Sequence, residues 1–400
     1  MDIGGTFTDV VLFDSATGDV RVLKVPSTPR KPEEAVINAL NSLGLNRGDV
    51  AIINHATTVA TNALLTHSGL PRAALITNEG FRDVLEIGRQ RRAEIYNLRF
   101  ARPPPLIPRS RRMTIRGRIL ADGSVAEDVP EADLRRVKKR LMREGVETVA
   151  VSLLNSYVNP AHERKVRDYI GDYGGFVFLS SEVDPEYREY ERTSTTVVNA
   201  VLAPVVTTYL RRLEEGVRGL GAPLYVMASN GGLNTVDYAA RMPISIIESG
   251  PSAGVLASGF LASKLGLENV ITFDMGGTTA KAGAIVGGKP DISYEFEAAG
   301  RTHSGRSIKG SGYAVRFPFI DLAEVSAGGG TIAWIDEAGS LRVGPASAGA
   351  DPGPAAYGRG GVEATITDAH LGVGRLNRRD PLGGAHRGQG ELPLQALGGR

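Results

Sequence analysis

Two short stretches carry the same residue types in the same order. Residues 2–9 read Asp-Ile-Gly-Gly-Thr-Phe-Thr-Asp, and residues 274–281 read Asp-Met-Gly-Gly-Thr-Thr-Ala-Lys. Strand-like runs follow each copy (10–13 and 282–286), and another, 270–273, leads into the second. An acid, two glycines and a hydroxyl between strands make a hairpin that can grip phosphate. Gly4 and Gly5 let the backbone turn and come close to a ligand. Successive N–H groups in such a turn form a concave anion site, and Thr6 and Thr8 add hydroxyl donors. Asp2 repels phosphate unless a cation stands between them, and Mg²⁺ favours a carboxylate or two plus phosphate oxygens. The second copy repeats the set with Asp274, Gly276, Gly277, Thr278 and Thr279, and adds Lys281 as a cation. One such copy reads equally well as an ordinary glycine turn. Two copies in one register point to two related lobes closing on one nucleotide. The pattern is neither a P-loop nor a dinucleotide fingerprint.

These hairpins need a scaffold, and the composition allows one. A chain of 400 residues is long enough for two domains or more. Hydrophobic and charged shares of 42% and 22% are those of an ordinary globular protein. The 50 glycines, many between short apolar runs, favour a strand-rich α/β chain over a helical bundle. With no cysteine, disulfides, thiolate metal sites, iron–sulfur clusters and cysteine nucleophiles are excluded. No apolar run approaches the ~20 residues that span a bilayer, and no basic segment followed by an apolar core opens the chain. A net charge of +2 gives no general attraction to nucleic acid. Both ends read as cut. Only Met1 precedes Asp2, and residues 377–400 read as a frayed or truncated tail.

The first lobe opens with the hairpin strand and strand-like runs at 10–13 and 20–25. A helix is expected from Pro32, with Glu33 and Glu34 in its first turn. A strand at 50–53, a helix at 57–65 and a strand at 73–77 follow. The order β-β-β-α-β-α-β is that of a ribonuclease H-like lobe. Residues 78–120 interrupt it with eleven arginines and the run Pro103-Pro104-Pro105. This segment reads as a surface or partner-facing insertion, a clamp for an anionic substrate, or a nucleic-acid arm; Asp83, Glu86 and Glu94 weaken the last. Helices near 131–144 and 161–171 and strands at 148–153 and 176–179 come next. A helical stretch after Pro185 runs toward Leu213, and Pro204 should end, kink or restart it. The lobe boundary is expected there.

The second lobe is expected to begin with a strand at 224–227. Glu248-Ser249-Gly250-Pro251-Ser252-Ala253-Gly254 opens an apolar helix, either a phosphate site or an ordinary capped terminus. After the second hairpin, Ser326-Ala327-Gly328-Gly329-Gly330-Thr331 reads as a close-approach loop against adenosine or as a plain glycine turn. The six histidines include no close metal-ligand pair. His55 follows a strand and precedes a helix, where α/β loops carry sites; a structural histidine is the alternative. No Gly-x-Ser-x-Gly elbow supports a serine hydrolase.

Several of these stretches resemble one family. Residues 2–9, His55-Ala56-Thr57-Thr58-Val59-Ala60-Thr61-Asn62, Thr77-Asn78-Glu79-Gly80-Phe81-Arg82-Asp83, Tyr190-Glu191-Arg192-Thr193-Ser194-Thr195, Ser249-Gly250-Pro251-Ser252-Ala253-Gly254 and residues 274–281 are similar to the hydantoinase A/5-oxoprolinase family. So are residues 327–334 and 344–353, and the resemblance runs to about residue 376. It implies an α/β fold of two ribonuclease H-like lobes from the actin-like ATPase and sugar kinase superfamily, the second lobe incomplete. A family N-terminal domain would span 1–182, with the insertion 78–120, and the main domain 200–376. The chain departs from the family's His-Gly-Thr-Thr at Ala56, and family members are longer.

The resemblance also implies chemistry: ATP-dependent hydrolysis of a cyclic amide, of hydantoin or 5-oxoproline type, through phosphorylation of the carbonyl oxygen. The setting would be cytoplasmic, with Mg²⁺ and a hydantoinase B-type partner subunit, and without nucleic acid or membrane partners. The alternatives are a carboxylase subunit that activates a ketone or bicarbonate, and a non-catalytic actin-like nucleotide switch. On this reading Asp2 and Asp274 hold Mg²⁺ through water. Gly4, Gly5, Thr6, Thr8, Gly276, Gly277, Thr278 and Thr279 grip phosphate, Lys281 balances charge, and Gly328, Gly329 and Gly330 approach the nucleotide. Asp9, His55, Thr57, Thr58 and Glu248 serve the substrate or proton transfer.

Overall fold

The computed structural model describes residues 1–28, 31–277, 279–300, 302–303, 306–325, 327–349 and 351–376. Thr278, Ser326 and the tail 377–400 lie outside the described residues, and with them the expectations placed there. The first sheet has the order Leu233–Thr235, Leu224–Met227, Ile53–Thr57, Asp2–Ile3, Phe7–Phe13, Val20–Pro26. Its three opening strands form an antiparallel ladder, and Ile53–Thr57 runs parallel to Asp2–Ile3. Helix Pro32–Ser42 begins where its proline and acids place it.

Three elements depart from expectation. The strand expected at 50–53 is Ile53–Thr57, because pairing with Asp2–Ile3 on one side and Leu224–Met227 on the other extends it. His55 and Thr57 are therefore strand residues. Leu224–Met227, expected in the second lobe, completes the first sheet, with Val226 opposite His55. Ala73–Asn78 leaves that sheet for a separate parallel one, ordered Phe176–Leu179, Thr148–Val151, Ala73–Asn78, Arg112–Ile115. An inner parallel strand is covered on both faces, and all six residues of Ala73–Asn78 are buried. Helices Glu131–Arg143 and Ala161–Ile170 share its core through Leu134, Val137, Leu141, Val166 and Ile170.

Helix Glu189–Val217 continues unbroken through Pro204. An interior proline costs about 3 kcal/mol or more. Burying one Val or Leu side chain gives about 1.5–3 kcal/mol, and Val197, Val198, Val201, Leu202, Val206, Leu210 and Leu213 are all buried. Packing decides the outcome. The second hairpin, Val270–Met275 with Ala280–Val286, forms a smaller sheet with Lys289–Pro290 and Leu322–Val325. Helix Ser249–Lys264 packs on it, with Val255 and Ile285 in one cluster. Ile271 and Phe273 stand 82% and 70% exposed, so this smaller sheet's other face is open among the described residues. No helix among the described residues is long and apolar enough to cross a membrane.

Candidate functional site

The two hairpins are built alike. In the first, Asp2 pairs with Asp9 and Ile3 with Thr8, and Gly4 N–H donates to the Phe7 carbonyl at 2.9 Å. In the second, Asp274 pairs with Lys281 and Met275 with Ala280, and Gly276 N–H donates to the Thr279 carbonyl at 3.0 Å. None of the four turn glycines adopts a left-handed φ. At Gly4 and Gly277 what demands glycine is close approach. A β-carbon on Gly4 would stand 3.0 Å from the Phe7 carbonyl, and one on Gly277 would strike the Thr6 hydroxyl. The two acid–glycine turns, far apart in sequence, thus meet at Thr6 and Gly277.

A third element closes on the same place. A β-carbon on Gly250, in the first turn of helix Ser249–Lys264, would lie 2.9 Å from Asp2 Oδ1. Ser249 Oγ accepts from Thr57 N–H and donates to the Thr57 carbonyl, both at 3.0 Å. Thr58 Oγ1 donates to the Ile3 carbonyl at 3.1 Å. Thr57 and Thr58 hold this junction together. Asp2 Oδ1 is buried and accepts no hydrogen bond. Burial, then the charge of Asp9, pushes the Asp2 carboxyl above the usual range, and Asp274 adds to the effect. An unpartnered carboxylate oxygen with two acidic neighbours suits a cation. Among the described residues no three His, Asp or Glu side chains converge closely enough to ligate a metal directly.

Other expected residues sit differently. Thr8 is buried, with its hydroxyl 3.0 Å from Ser27 Oγ, which commits it to the scaffold. Asp9 pairs with Lys24 at 2.6 Å. Gly328 N–H donates to Thr331 Oγ1, Gly329 N–H to the Gly276 carbonyl and Gly330 N–H to the Gly277 carbonyl. The Gly329 and Gly330 amides brace the second turn, and the Gly328 amide is spent within its own loop. The Gly4 and Gly276 amides are spent within their own turns.

His55 sits in the core. It is 1% exposed, and its Nε2 bonds the Tyr209 hydroxyl of the long helix. Burial lowers its pKa to about 3, so it is a neutral core residue. A folded pKa below the unfolded value of about 6.5 stabilises the fold fully above that value, and the contribution is lost as pH falls toward 3. At pH 5 the loss is about 2 kcal/mol. Urea unfolding at pH 5.0 and 7.5 should show this difference in the parent, and His55→Gln should remove most of it. An unchanged difference would place the titration elsewhere.

Beside the turn pair lies a cavity of about 910 Å³. Thr279 and Lys281 line it from the second hairpin, with Glu248 and Thr61 beside them. Glu248 N–H donates to Thr61 Oγ1 at 3.3 Å, and its carboxylate pairs with the buried Lys281 ammonium. Burial lowers the Lys281 pKa. Arg89, Arg91, Arg102, Arg188 and Tyr190 line the cavity as well. Arg89, Arg91 and Arg102 come from the arginine-rich run, one reading of which is a clamp for an anionic substrate. Among the described residues six non-glycines have left-handed φ, and three of them, Arg188, Glu248 and Ala299, line this cavity; a fourth, Gln90, sits between Arg89 and Arg91. Strained backbone gathers at functional sites, and here it gathers around one space.

Two family models match the chain: the hydantoinase/oxoprolinase N-terminal region over residues 1–174, and hydantoinase/oxoprolinase over residues 192–397. The caprolactamase subunit alpha of Pseudomonas jessenii is 38% identical, across 99% of this chain and 57% of its own length. The acetophenone carboxylase gamma subunit of Aromatoleum aromaticum is 35% identical, across 96% and 54%. Among solved structures, nucleotide-free acetone carboxylase matches with a TM-score of 0.80 at 27% identity, covering 99% of this chain and 56% of that one. The ATP-dependent caprolactamase of Pseudomonas jessenii matches with a TM-score of 0.78 at 36% identity, covering 99% and 57%. The chain therefore spans about half the length of the curated relatives it matches.

Proposed function

Because this chain belongs to the hydantoinase/oxoprolinase family, we propose that it is the ATP-using subunit of an enzyme that opens a cyclic amide. The observation that carries this reading is the meeting of two equivalent acid–glycine turns beside a cavity that the second turn also lines. A phosphoryl donor at the turns would then lie next to an acceptor in the cavity. An unstrained amide carbonyl is a poor electrophile. In the proposed sequence the amide oxygen displaces ADP from the γ-phosphorus. Water adds to the activated carbon, the C–N bond breaks with protonation of the amine, and an acyl phosphate remains. A second water releases the carboxylate and inorganic phosphate.

The protein's task in such a reaction is positioning and charge neutralisation. Gly5, Thr6, Gly277, Thr278 and Thr279 grip phosphate in this reading. Asp2 and Asp274 hold Mg²⁺ through water, and that ion supplies charge neutralisation to the phosphates. The Glu248–Lys281 pair faces the cavity and is placed to pass a proton to the departing amine. A hydantoinase B-type subunit would complete the enzyme, in keeping with relatives named as subunits.

A second reading, a carboxylase subunit that activates a ketone or bicarbonate, is favoured by the similarity to acetophenone and acetone carboxylases. One experiment separates them. ADP release is measured with a panel of cyclic amides and, separately, with ketone plus bicarbonate, and products are identified by mass. A ring-opened amino acid formed with ADP is the expected result. Carboxylated ketone would establish the second reading, and tight ATP binding with no stimulation by either set would leave a nucleotide switch.

A further inference from the structure

Residues 88–108 form no helix or strand, although they join the short helix Val84–Ile87 to the turn Arg109–Arg111. Most connections in a packed domain run about 4–6 residues, and longer unstructured ones usually carry function. The two ends of this loop are fixed. Arg89 gives its guanidinium to Glu191 at 2.6 and 2.5 Å. Arg102 donates to the Tyr190 hydroxyl at 2.9 Å and to the Glu86 and Ile87 carbonyls. A β-carbon on Gly310 would stand 3.1 Å from the Arg91 carbonyl oxygen, so a third segment packs on this stem. Arg89, Arg91 and Arg102 all line the large cavity.

The tip of the loop is held by its own hydrogen bonds. Asn97 N–H donates to the Glu94 carbonyl at 3.2 Å, and the Asn97 carbonyl accepts from Phe100 N–H at 3.1 Å. The Asn97 side chain accepts from Arg99 N–H at 3.0 Å and donates to Glu94 Oε2 at 2.6 Å. Around it Ile95, Tyr96 and Leu98 stand 74%, 97% and 90% exposed. None of the three lines the cavity. Large apolar side chains on a preorganised tip lose little freedom on binding, and tyrosine is among the residues that most often anchor an interface. Residues 89–102 also carry five arginines against one acid, Glu94. Two copies meeting tip to tip would set like charges against each other. An apolar pocket with an acidic rim is the complementary surface.

We propose that the tip at residues 95–98 is the docking knob for the hydantoinase B-type subunit, which receives it in an apolar pocket rimmed by Asp and Glu side chains. Because the stem of the same loop lines the cavity, docking brings that subunit to the cavity's rim. This rests on the two-subunit enzyme proposed above and names the surface that joins it.

The chain and the hydantoinase B-type subunit of the same source are purified separately, and their binding is measured by interferometry. Tyr96→Ser/Leu98→Ser should raise Kd about 30-fold or more, the effect of losing one strong anchor. Arg92→Gln/Arg99→Gln should instead slow association and flatten its dependence on salt. Both variants should keep the parent's urea midpoint and ATP affinity, because all four side chains are exposed. An unchanged Kd for the double serine variant, beside tight binding by the parent, would overturn the knob and leave the two-subunit reading standing. No binding by the parent would sink both. A fall in urea midpoint or ATP affinity in the serine variant would make the tip part of the fold and overturn the knob. Sedimentation of the chain alone and flotation with phosphatidylserine vesicles cover other occupants. Self-association or vesicle binding that the serine variant abolishes, with subunit binding intact, would overturn the proposal in favour of a second copy or a membrane. A complex that depends on the tip yet turns over no lactam would sustain the knob and sink the amide-opening chemistry.

Discussion

Replacing Asp274 by asparagine is expected to lower lactam-stimulated ADP release by about 100- to 1,000-fold, the usual loss when one preorganised charge-handling group is removed. The fold should not notice. Asp274 ends an exposed strand face opposite Lys281, and its carboxylate supports no core contact. Surface changes of this kind stay within about 0.5 kcal/mol. Asp2→Asn should lose activity as deeply but move stability the other way. Asp2 Oδ1 is buried without a partner, and Asp9 and Asp274 both disfavour its charge. Neutralising it removes that repulsion, so the inactive variant should be at least as stable as the parent near pH 7. A site kept at a cost in stability is expected where charge awaits a cation. Urea unfolding with a coupled-enzyme ADP assay on both variants checks this. An active Asp274→Asn protein would remove the acid–glycine turns from the chemistry.

What the sequence made legible was local. The repeated Asp-x-Gly-Gly-Thr pattern carried its own register: Asp2 opposite Asp9 and Asp274 opposite Lys281 follow from a turn of fixed length. Helices with a proline and acids at the start, or with strong apolar spacing, fell where expected. Partner choice over long separations was not legible. Ala73–Asn78 reads as an inner parallel strand in either sheet, and nothing in its six residues says which. Leu224–Met227 completes a sheet begun at Asp2 for the same reason. His55 reads as a loop residue because the local sequence alone ends the strand at residue 53, and a pairing that extends it lies far along the chain. The glycines of 328–330 showed that backbone comes close to something; whether to a ligand or to a neighbouring turn is a tertiary fact. The cavity wall is the clearest case. Arg91 and Gly310 come from distant parts of the chain, yet a β-carbon on Gly310 would stand 3.1 Å from the Arg91 carbonyl oxygen.

Valine at position 277 is expected to weaken ATP binding by about 100-fold and alanine by about tenfold, because overpacking costs about 1–3 kcal/mol and each 1.4 kcal/mol is a factor of ten. The penalty cannot come from backbone conformation, since Gly277 has no left-handed φ. It comes from collision with the Thr6 hydroxyl of the opposite turn. Neither turn can easily retreat. The second is held by Gly329 and Gly330, whose amides bond the Gly276 and Gly277 carbonyls at 2.9 and 2.8 Å. The first is held by Ser27, whose amide bonds the Thr6 carbonyl at 3.0 Å and whose hydroxyl bonds the Gly4 carbonyl at 2.8 Å. The strain must open the space between the turns. Thr6→Ala removes the struck atom, so Gly277→Ala/Thr6→Ala should recover part of the affinity that Gly277→Ala loses. Such coupling between residues in contact marks a shared interface. Calorimetric titration with ATP across the four proteins measures it. If Gly277→Ala binds as the parent does, or if the two losses simply add, the turns do not share one ligand.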